Sequence, residues 1–251
     1  MSYNRLSALL TAVVLSLAGC AKDDTAGPDI GTIRARFVHA IADTSALDVR
    51  FNTRLSVGMT ALPYGTATEY ETVIGTLVNA SAQVAPSIDV DRPRPLANLT
   101  RISVASGGAI TLVAAGEARD SVSGRAPGIT GYIDDLSAPA SGQARLRIIN
   151  ASPDAGAVDV YATIVGGVQG PVPTVPGVDY RSQVSRTLTA GSYVLTITRL
   201  SEPANVLATS SVVLPSGGVQ TAVIRGYAGV LPSGLPTSRR LAATIFVDRT
   251  P

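Results

Sequence analysis

Short segments of alternating hydrophobic and polar residues run through most of this chain. Ile33, Ala35 and Phe37 alternate with Arg34 and Arg36. Because successive side chains of a strand point to opposite faces, this pattern predicts a strand with one buried face. Similar segments, rich in β-branched residues and bounded by Gly, Pro, Ser or Asn, predict strands over residues 46–51, 100–105, 109–115, 144–148, 158–164, 192–200, 208–214, 219–225 and 242–248.

The strand pattern occurs twice. Residues 31–51 align without a gap with residues 142–162, about 110 residues later. Ser-Gly-Gly at 106–108 recurs at 216–218, and we expect both segments to form hairpin turns because glycine adopts positive φ. The matching polar positions are Arg34/Arg145, Arg36/Arg147, Asp43/Asp154 and Asp48/Asp159. We infer a tandem duplication.

Many short strands in two copies predict an all-β protein with two tandem antiparallel β-sandwich domains of Greek-key type. We place the first domain at residues 31–138 and the second at 139–251, separated by the Pro/Gly/Ser-rich linker 137–142. The segments 131–135 and 245–249 are predicted to be equivalent last strands.

The first 20 residues have the pattern of a bacterial lipoprotein signal peptide. Arg5 precedes a short apolar segment that ends in Leu17-Ala18-Gly19-Cys20, and Cys20 is the only cysteine. The segment is shorter than the roughly 20 apolar residues that a spanning helix needs. We therefore expect cleavage of residues 1–19, lipidation of Cys20, and a tether over residues 20–30. Acyl chains on Cys20 would hold the protein on a membrane of the cell envelope, the outer one if the cell has two.

Composition narrows the function classes. Hydrophobic residues make up 45% of the chain and charged residues 15%, so the chain can bury a core. The formal net charge of +2 comes without the clustered positive charge of a nucleic-acid-binding surface, so we expect no nucleic-acid partner. With one cysteine, the chain forms no internal disulfide.

The second copy carries a family motif. Residues 145–161 read Arg-Leu-Arg-Ile-Ile-Asn-Ala-Ser-Pro-Asp-Ala-Gly-Ala-Val-Asp-Val-Tyr. This segment resembles the opening motif of the domain of unknown function DUF4397. The first copy resembles it less closely, with Ile41 and Ala42 in place of Ser-Pro and Arg50 in place of Tyr. The resemblance implies a secreted or surface-anchored bacterial β-domain, often in tandem, and implies no activity.

Four aspartates recur in both copies and are the candidate site residues: Asp43, Asp48, Asp154 and Asp159. Carboxylates beside a loop are possible calcium ligands. Aspartates in turns also bind backbone amides. The dense spacing of known calcium loops is missing, so we favour the structural role and expect no metal and no cofactor.

Other chemistry is sparse. His39 is the only histidine, and Asn150 replaces it in the second copy, so we expect it to bond a neighbouring turn. The carboxylate pairs Asp89/Asp91 and Asp134/Asp135 are the candidates for glycosidase chemistry, which needs two carboxyl groups across a cleft. The repeated arginines are predicted to form a solvated outer face or a basic stripe for an anionic partner.

We expect a membrane-anchored envelope lipoprotein that acts as a non-catalytic binding or structural module. Its partner would be an envelope protein or a glycan, recognised by the loops at residues 40–46 and 151–157. The alternative is a hydrolase acting on envelope or extracellular polysaccharide.

Overall fold

Strands and turns make up the described chain, and the predicted all-β class is confirmed. The structure, a computed structural model, describes residues 31–52, 54–55, 60–85, 96–119 and 124–251. The predicted leader, the tether, Cys20, Asp89 and Asp91 lie outside the described residues.

The first repeat contains two sheets that pack face to face. Its strands are β1 (Thr32–Ile41), β2 (Ala46–Phe51), β3 (Arg54–Leu55), β4 (Leu62–Pro63), β5 (Glu71–Ile74), β6 (Leu77–Val84), β7 (Ala97–Ser103), β8 (Ala109–Gly116) and β9 (Gly128–Asp134). One sheet has the order β5-β1-β8-β9, and the other has the order β3-β2-β6-β7 with β4 paired to β2.

The second repeat has the same arrangement. Its strands are β10 (Gln143–Asn150), β11 (Val158–Ile164), β12 (Val175–Val178), β13 (Gln183–Thr189), β14 (Gly191–Arg199), β15 (Glu202–Leu214), β16 (Val219–Arg225) and β17 (Ala242–Arg249), with a short 3-10 helix at Thr237–Arg239 before β17. The sheets have the orders β13-β10-β16-β17 and β12-β11-β14-β15.

Each repeat has a core between its two sheets. In β1, Ile33, Ala35 and Phe37 are buried in this core, as the alternation predicted. Leu146 and Ile148 take the same place in β10. Alternating β-branched and aliphatic residues therefore build both cores without tryptophan.

One sheet of each repeat is mixed, whereas the sequence suggested antiparallel sheets; the β3-β2-β6-β7 and β12-β11-β14-β15 sheets are antiparallel as expected. β1 pairs in parallel with β8, and β10 pairs in parallel with β16. Parallel neighbours need a crossover connection, and here the chain passes through the other sheet of the same repeat before it returns.

The two Ser-Gly-Gly turns connect different sheets, so the hairpin prediction was wrong. The first leads from β7 in one sheet to β8 in the other, and the second leads from β15 to β16. Gly107 and Gly217 do adopt positive φ, at 77° and 79°, and the N–H of each donates to the start of the first strand of its repeat. The turn was therefore recognised, but local sequence does not show which sheet each flanking strand joins.

A third apolar cluster lies between the repeats. We call the β5-β1-β8-β9 and β13-β10-β16-β17 sheets the inner sheets, because their faces pack against each other. The cluster consists of buried residues from both inner sheets, with three partly buried neighbours: Val38, Ala40, Val113, Ala115, Tyr132, Ile149, Ala151 and Val223, with Ala67, Tyr180 and Phe246. Both faces of β1 and of β10 are consequently buried.

Candidate functional site

Asp43 and Asp154 each hold a neighbouring loop by backbone hydrogen bonds. The Asp43 carboxylate accepts the N–H groups of Ala118 (2.6 Å) and Arg119 (2.7 Å), which follow β8. The Asp154 carboxylate accepts those of Ala228 (2.7 Å) and Gly229 (2.9 Å), which follow β16. The repeated aspartate thus fixes equivalent loops in the two repeats.

Asp48 and Asp159 are also directed at backbone amides. Asp159 accepts from the N–H groups of Gly177 and Ser201, both at 2.8 Å. Asp48 accepts from the N–H of Ala61 at 2.7 Å. Among the described residues, no group of three or more His, Cys, Asp or Glu side chains is arranged to hold a metal ion.

His39 bonds the turn that follows β1, as predicted. Its Nδ1 accepts the Ile41 N–H at 3.3 Å, and its Nε2 lies 3.2 Å from the Thr44 hydroxyl. Burial, together with the charges of Arg239 and Arg225, lowers the pKa of His39 to about 3. The ring therefore stays neutral and structural.

Asn150 takes the place of His39 in the second repeat. Its amide donates to the carbonyls of Gly156 (2.8 Å) and Val178 (3.0 Å) and accepts from the N–H of Ser152 (3.1 Å). Two different side chains thus satisfy the same kind of turn.

The loops at residues 40–46 and 151–157 are mostly buried, so they do not form the exposed recognition surface that we expected. Each loop packs against the loop that follows the neighbouring parallel strand. Asp43 and Asp154 accept hydrogen bonds from the backbone of that second loop.

Arg36 and Arg147 are buried, so the prediction of a solvated arginine face was wrong for both. Arg36 donates through Nε to Thr111 of its own repeat (3.0 Å) and pairs with Asp248 of the other repeat. Arg147 donates through Nε to Thr221 of its own repeat (2.8 Å) and pairs with Asp134 of the first (2.5 Å). The two ion pairs cross between the repeats in a pseudo-twofold arrangement, and inter-repeat packing removes both arginines from water.

A cleft lies on one side of these crossed pairs, and we call it the first cleft. Its volume is about 730 Å³, within the size range of ligand pockets. Its lining comes from both inner sheets: Arg34, Arg36, residues 67–70, Leu136 and residues 245–250. It lies between β17 of the second repeat and the β1–β5 edge of the first.

A second cleft, related by the pseudo-twofold arrangement, has a volume of about 120 Å³ and includes Arg145, Arg147, Asp134 and Asp135 in its lining. The Arg145 guanidinium closes part of this second cleft. It pairs with the Asp135 carboxylate at 2.9 Å and donates to the carbonyls of Asp135 and Ser137. The Ser137 hydroxyl and N–H lower the pKa of Asp135, with a smaller contribution from Arg145.

In the first cleft, alignment of the two repeats places Arg34 at the position of Arg145 and Arg249 at the position of Asp135, although the β16–β17 ladder shifts register beside Arg249. Both are exposed, and neither forms an ion pair with a described residue. Glu69, also exposed, is the carboxylate at the rim. The first cleft thus has a larger volume than the second and carries two cations that form no ion pair within the described part of the chain.

Tyr70 forms part of the floor of the first cleft. The Arg36 guanidinium lies 4.9 Å from its ring centroid and that of Arg34 lies 5.9 Å away. Its hydroxyl donates to Asp134 at 2.7 Å. Burial raises the pKa of Tyr70 above its ordinary value, so the hydroxyl remains a donor and links the cleft to the crossed ion pairs.

Comparison with known proteins gives a family. The model of the family described as "Domain of unknown function (DUF4397)" matches residues 33–161. The chain belongs to the DUF4397 family. The match begins in β1 and ends in β11, so it covers the first repeat and the opening strands of the second, and it confirms the sequence resemblance.

Other comparisons add little to the DUF4397 assignment. No curated protein matches the chain. Among solved structures, the Bacillus anthracis TIE protein is similar with a TM-score of 0.26 and 10% identity, over 78% of this chain and 34% of that one. This chain thus spans about a third of the length of that structure, and the similarity is too low to support a statement on fold or function. No described helix is long and apolar enough to span a membrane.

Sequence reasoning singled out Arg34 in this DUF4397 protein but missed Tyr70 and Arg249. A signal for Arg249 was present, since the aligned last strands end in Asp134-Asp135 and Asp248-Arg249. The first aspartate recurs and the second is replaced by arginine. Tyr70 has no such signal, because its place in the cleft follows from the way the two repeats pack.

Proposed function

We propose that this DUF4397 protein is a membrane-anchored lipoprotein of the cell envelope that binds an extracytoplasmic ligand in the first cleft without catalysis. One observation carries the binding role: two pseudo-equivalent clefts differ in the charge of the residue beside their outer arginine. The second cleft neutralises its outer arginine with Asp135, whereas the first cleft presents Arg34 and Arg249 together.

The anchoring part of the proposal rests on the sequence alone. The Leu-Ala-Gly-Cys segment at residues 17–20 follows a short apolar leader, and lipidation with two or more chains gives stable anchoring. The tether would then hold the two sandwiches outside the membrane, on the outer membrane if the cell has two.

A binding role is preferred to hydrolysis because of the carboxylates available. A glycosidase needs two carboxyl groups that act on one ligand. The carboxylates of the described first-cleft lining are Glu69 and Asp248, and Asp248 is bound by Arg36, Thr221 and Arg147. In the second cleft, Asp134 is held by Arg147 in the same way.

Site-specific photocrosslinking in intact cells tests the proposal. A photoreactive residue replaces Val247, which is 56% exposed and lines the first cleft. In the control it replaces Ile133, which is 51% exposed at the equivalent place in the second cleft. We expect a discrete crosslinked product from position 247 and none from position 133. Equal crosslinking at both positions, or none at either, would refute binding in the first cleft.

A further inference from the structure

We propose that the first cleft takes an extended acidic peptide segment of a protein partner, which adds as a strand to the free edge of β17 and places a carboxylate between Arg34 and Arg249. This inference rests on the proposed binding role of the cleft and specifies its ligand.

The first observation is a free strand edge beside the cleft. Within the described chain, β17 pairs with β16 and with no other strand. The Val247 carbonyl oxygen lies 3.5 Å from Arg36 Nη1, so this oxygen is directed toward the first repeat and the cleft. Val247 pairs with Gln220 beside a register shift of the β16–β17 ladder. Because both backbone polar groups of a strand residue point to the same side, we infer that the N–H of Val247 is open to an added strand.

The second observation is the charge at this edge. Arg34 contacts the Tyr70 ring at 5.9 Å and Arg249 extends from the end of β17, both exposed and without an ion pair among the described residues. Glu69 leaves one positive charge in excess once the internally paired Arg36 and Asp248 are set aside. Arginine binds carboxylates by charge-assisted, often bidentate, hydrogen bonds, so the edge favours an acidic strand.

The third observation is that the protein already contains such an interaction. In the second cleft, the segment that follows β9 is not part of a helix or strand, and Arg145 holds it by the Asp135 carboxylate and by the carbonyls of Asp135 and Ser137. The Arg145 side chain there binds both the carboxylate and the backbone carbonyls of one acidic segment. In the first cleft the residue that follows Asp248 is Arg249, where Asp135 follows Asp134 in the second cleft, and we infer that a partner supplies the missing carboxylate.

Two probes distinguish a peptide from a sugar as the source of the carboxylate. Fluorescence anisotropy measures binding of a short labelled peptide of alternating valine and glutamate to the full-length protein purified in detergent, with oligogalacturonate as the carboxylated sugar. We expect the peptide to bind and its valine–lysine counterpart not to bind. Binding of oligogalacturonate without the peptide would overturn the peptide proposal and leave the binding role of the cleft intact.

Two variants test the two contacts separately. Arg249→Asp copies Asp135 of the second cleft and gives Arg34 an internal partner, so we expect peptide binding to weaken by about tenfold or more. Val247→Pro removes the N–H that we infer to point away from β16, and should weaken binding similarly. Arg101→Asp, an exposed position on β7 with the same change of net charge, is the control and should bind as the wild type does.

The outcomes distinguish the proposal of an acidic peptide ligand from the proposal that the first cleft binds a ligand at all. Peptide binding that survives Arg249→Asp or Val247→Pro, in proteins whose melting temperatures match the wild type, would overturn strand addition at this edge. Failure of the peptide to bind, combined with a crosslink from position 247 but not 133, would overturn the acidic peptide alone. Failure of both experiments would overturn the binding role itself.

Discussion

Asp248→Asn should destabilise the protein far more than a surface substitution of the same type. The Arg36 and Asp248 side chains are 3% and 2% exposed. Asp248 also accepts from the Thr221 hydroxyl at 2.6 Å and lies 3.4 Å from Arg147. The amide cannot neutralise Arg36, which remains buried between the sheets.

The expected loss is about 3–5 kcal/mol of unfolding free energy, because removal of one partner leaves a buried charge without compensation. Asp135→Asn is the matched control, because it makes the same substitution in an exposed ion pair. Asp135 pairs with Arg145 at 2.9 Å, but its side chain is 64% exposed. An exposed pair of this kind contributes about 0–1 kcal/mol, so the two variants should differ by several kcal/mol.

Urea unfolding followed by circular dichroism measures both values. A third variant, Arg36→Met with Asp248→Leu, removes both charges and should recover most of the loss, because well-packed apolar residues replace buried ion pairs at little cost. If Asp248→Asn costs no more than Asp135→Asn, the pairs between the repeats are not buried as described. If the double variant is as unstable as the single one, an unpaired charge is not the cause.

Three further predictions concern other parts of the chain. The pKa of His39 is about 3 in the folded protein, against 6.5 for the ordinary group. Between these values the unfolded chain binds a proton that the folded chain excludes. The free energy of unfolding therefore falls as the pH is lowered from 6.5 to 3, by up to about 1.4 kcal/mol per pH unit. His39→Asn, which copies Asn150, should flatten this dependence in urea titrations, and an unchanged slope would contradict the assignment. Asp154→Ala leaves two loop N–H groups without acceptors and should lower the free energy of unfolding by about 1–3 kcal/mol. Calcium should shift the melting temperature of neither the wild type nor this variant. A calcium shift in the wild type that the variant loses would make Asp154 a calcium ligand. Cys20→Ala should move the protein from the membrane to the soluble fraction, and a variant that stays with the membrane would argue against lipid anchoring.

Much of the fold could be predicted from local sequence. The strands expected at residues 46–51, 158–164 and 219–225 match β2, β11 and β16 to the residue, because β-branched alternation bounded by turn residues is a local property. Short strands such as β4 and β12, with two and four residues, were missed because segments of that length hold too few alternations to recognise.

The candidate site was less predictable. Both copies of the motif place an arginine on the face of the first strand opposite the core, and alternation shows that Arg36 shares this face with Val38 and Ala40. Alternation does not show whether a second layer covers the face. The apolar residues Val38 and Ala40 were a signal that a second layer covers this face, because a strand face in contact with water usually carries polar residues.

The sequence by itself determined the all-β class and the residues that build each core, because these depend on side-chain periodicity along one strand. Only the tertiary structure decided which sheets the strands join and which faces the repeats bury against each other. Packing of the inner sheets converted Arg36 and Arg147 from expected surface charges into buried ion pairs. The same packing brought Arg34 and Arg249, which are more than 200 residues apart in the chain, to one cleft. Contacts at such separation depend on how sheets pack, and no local pattern encodes them.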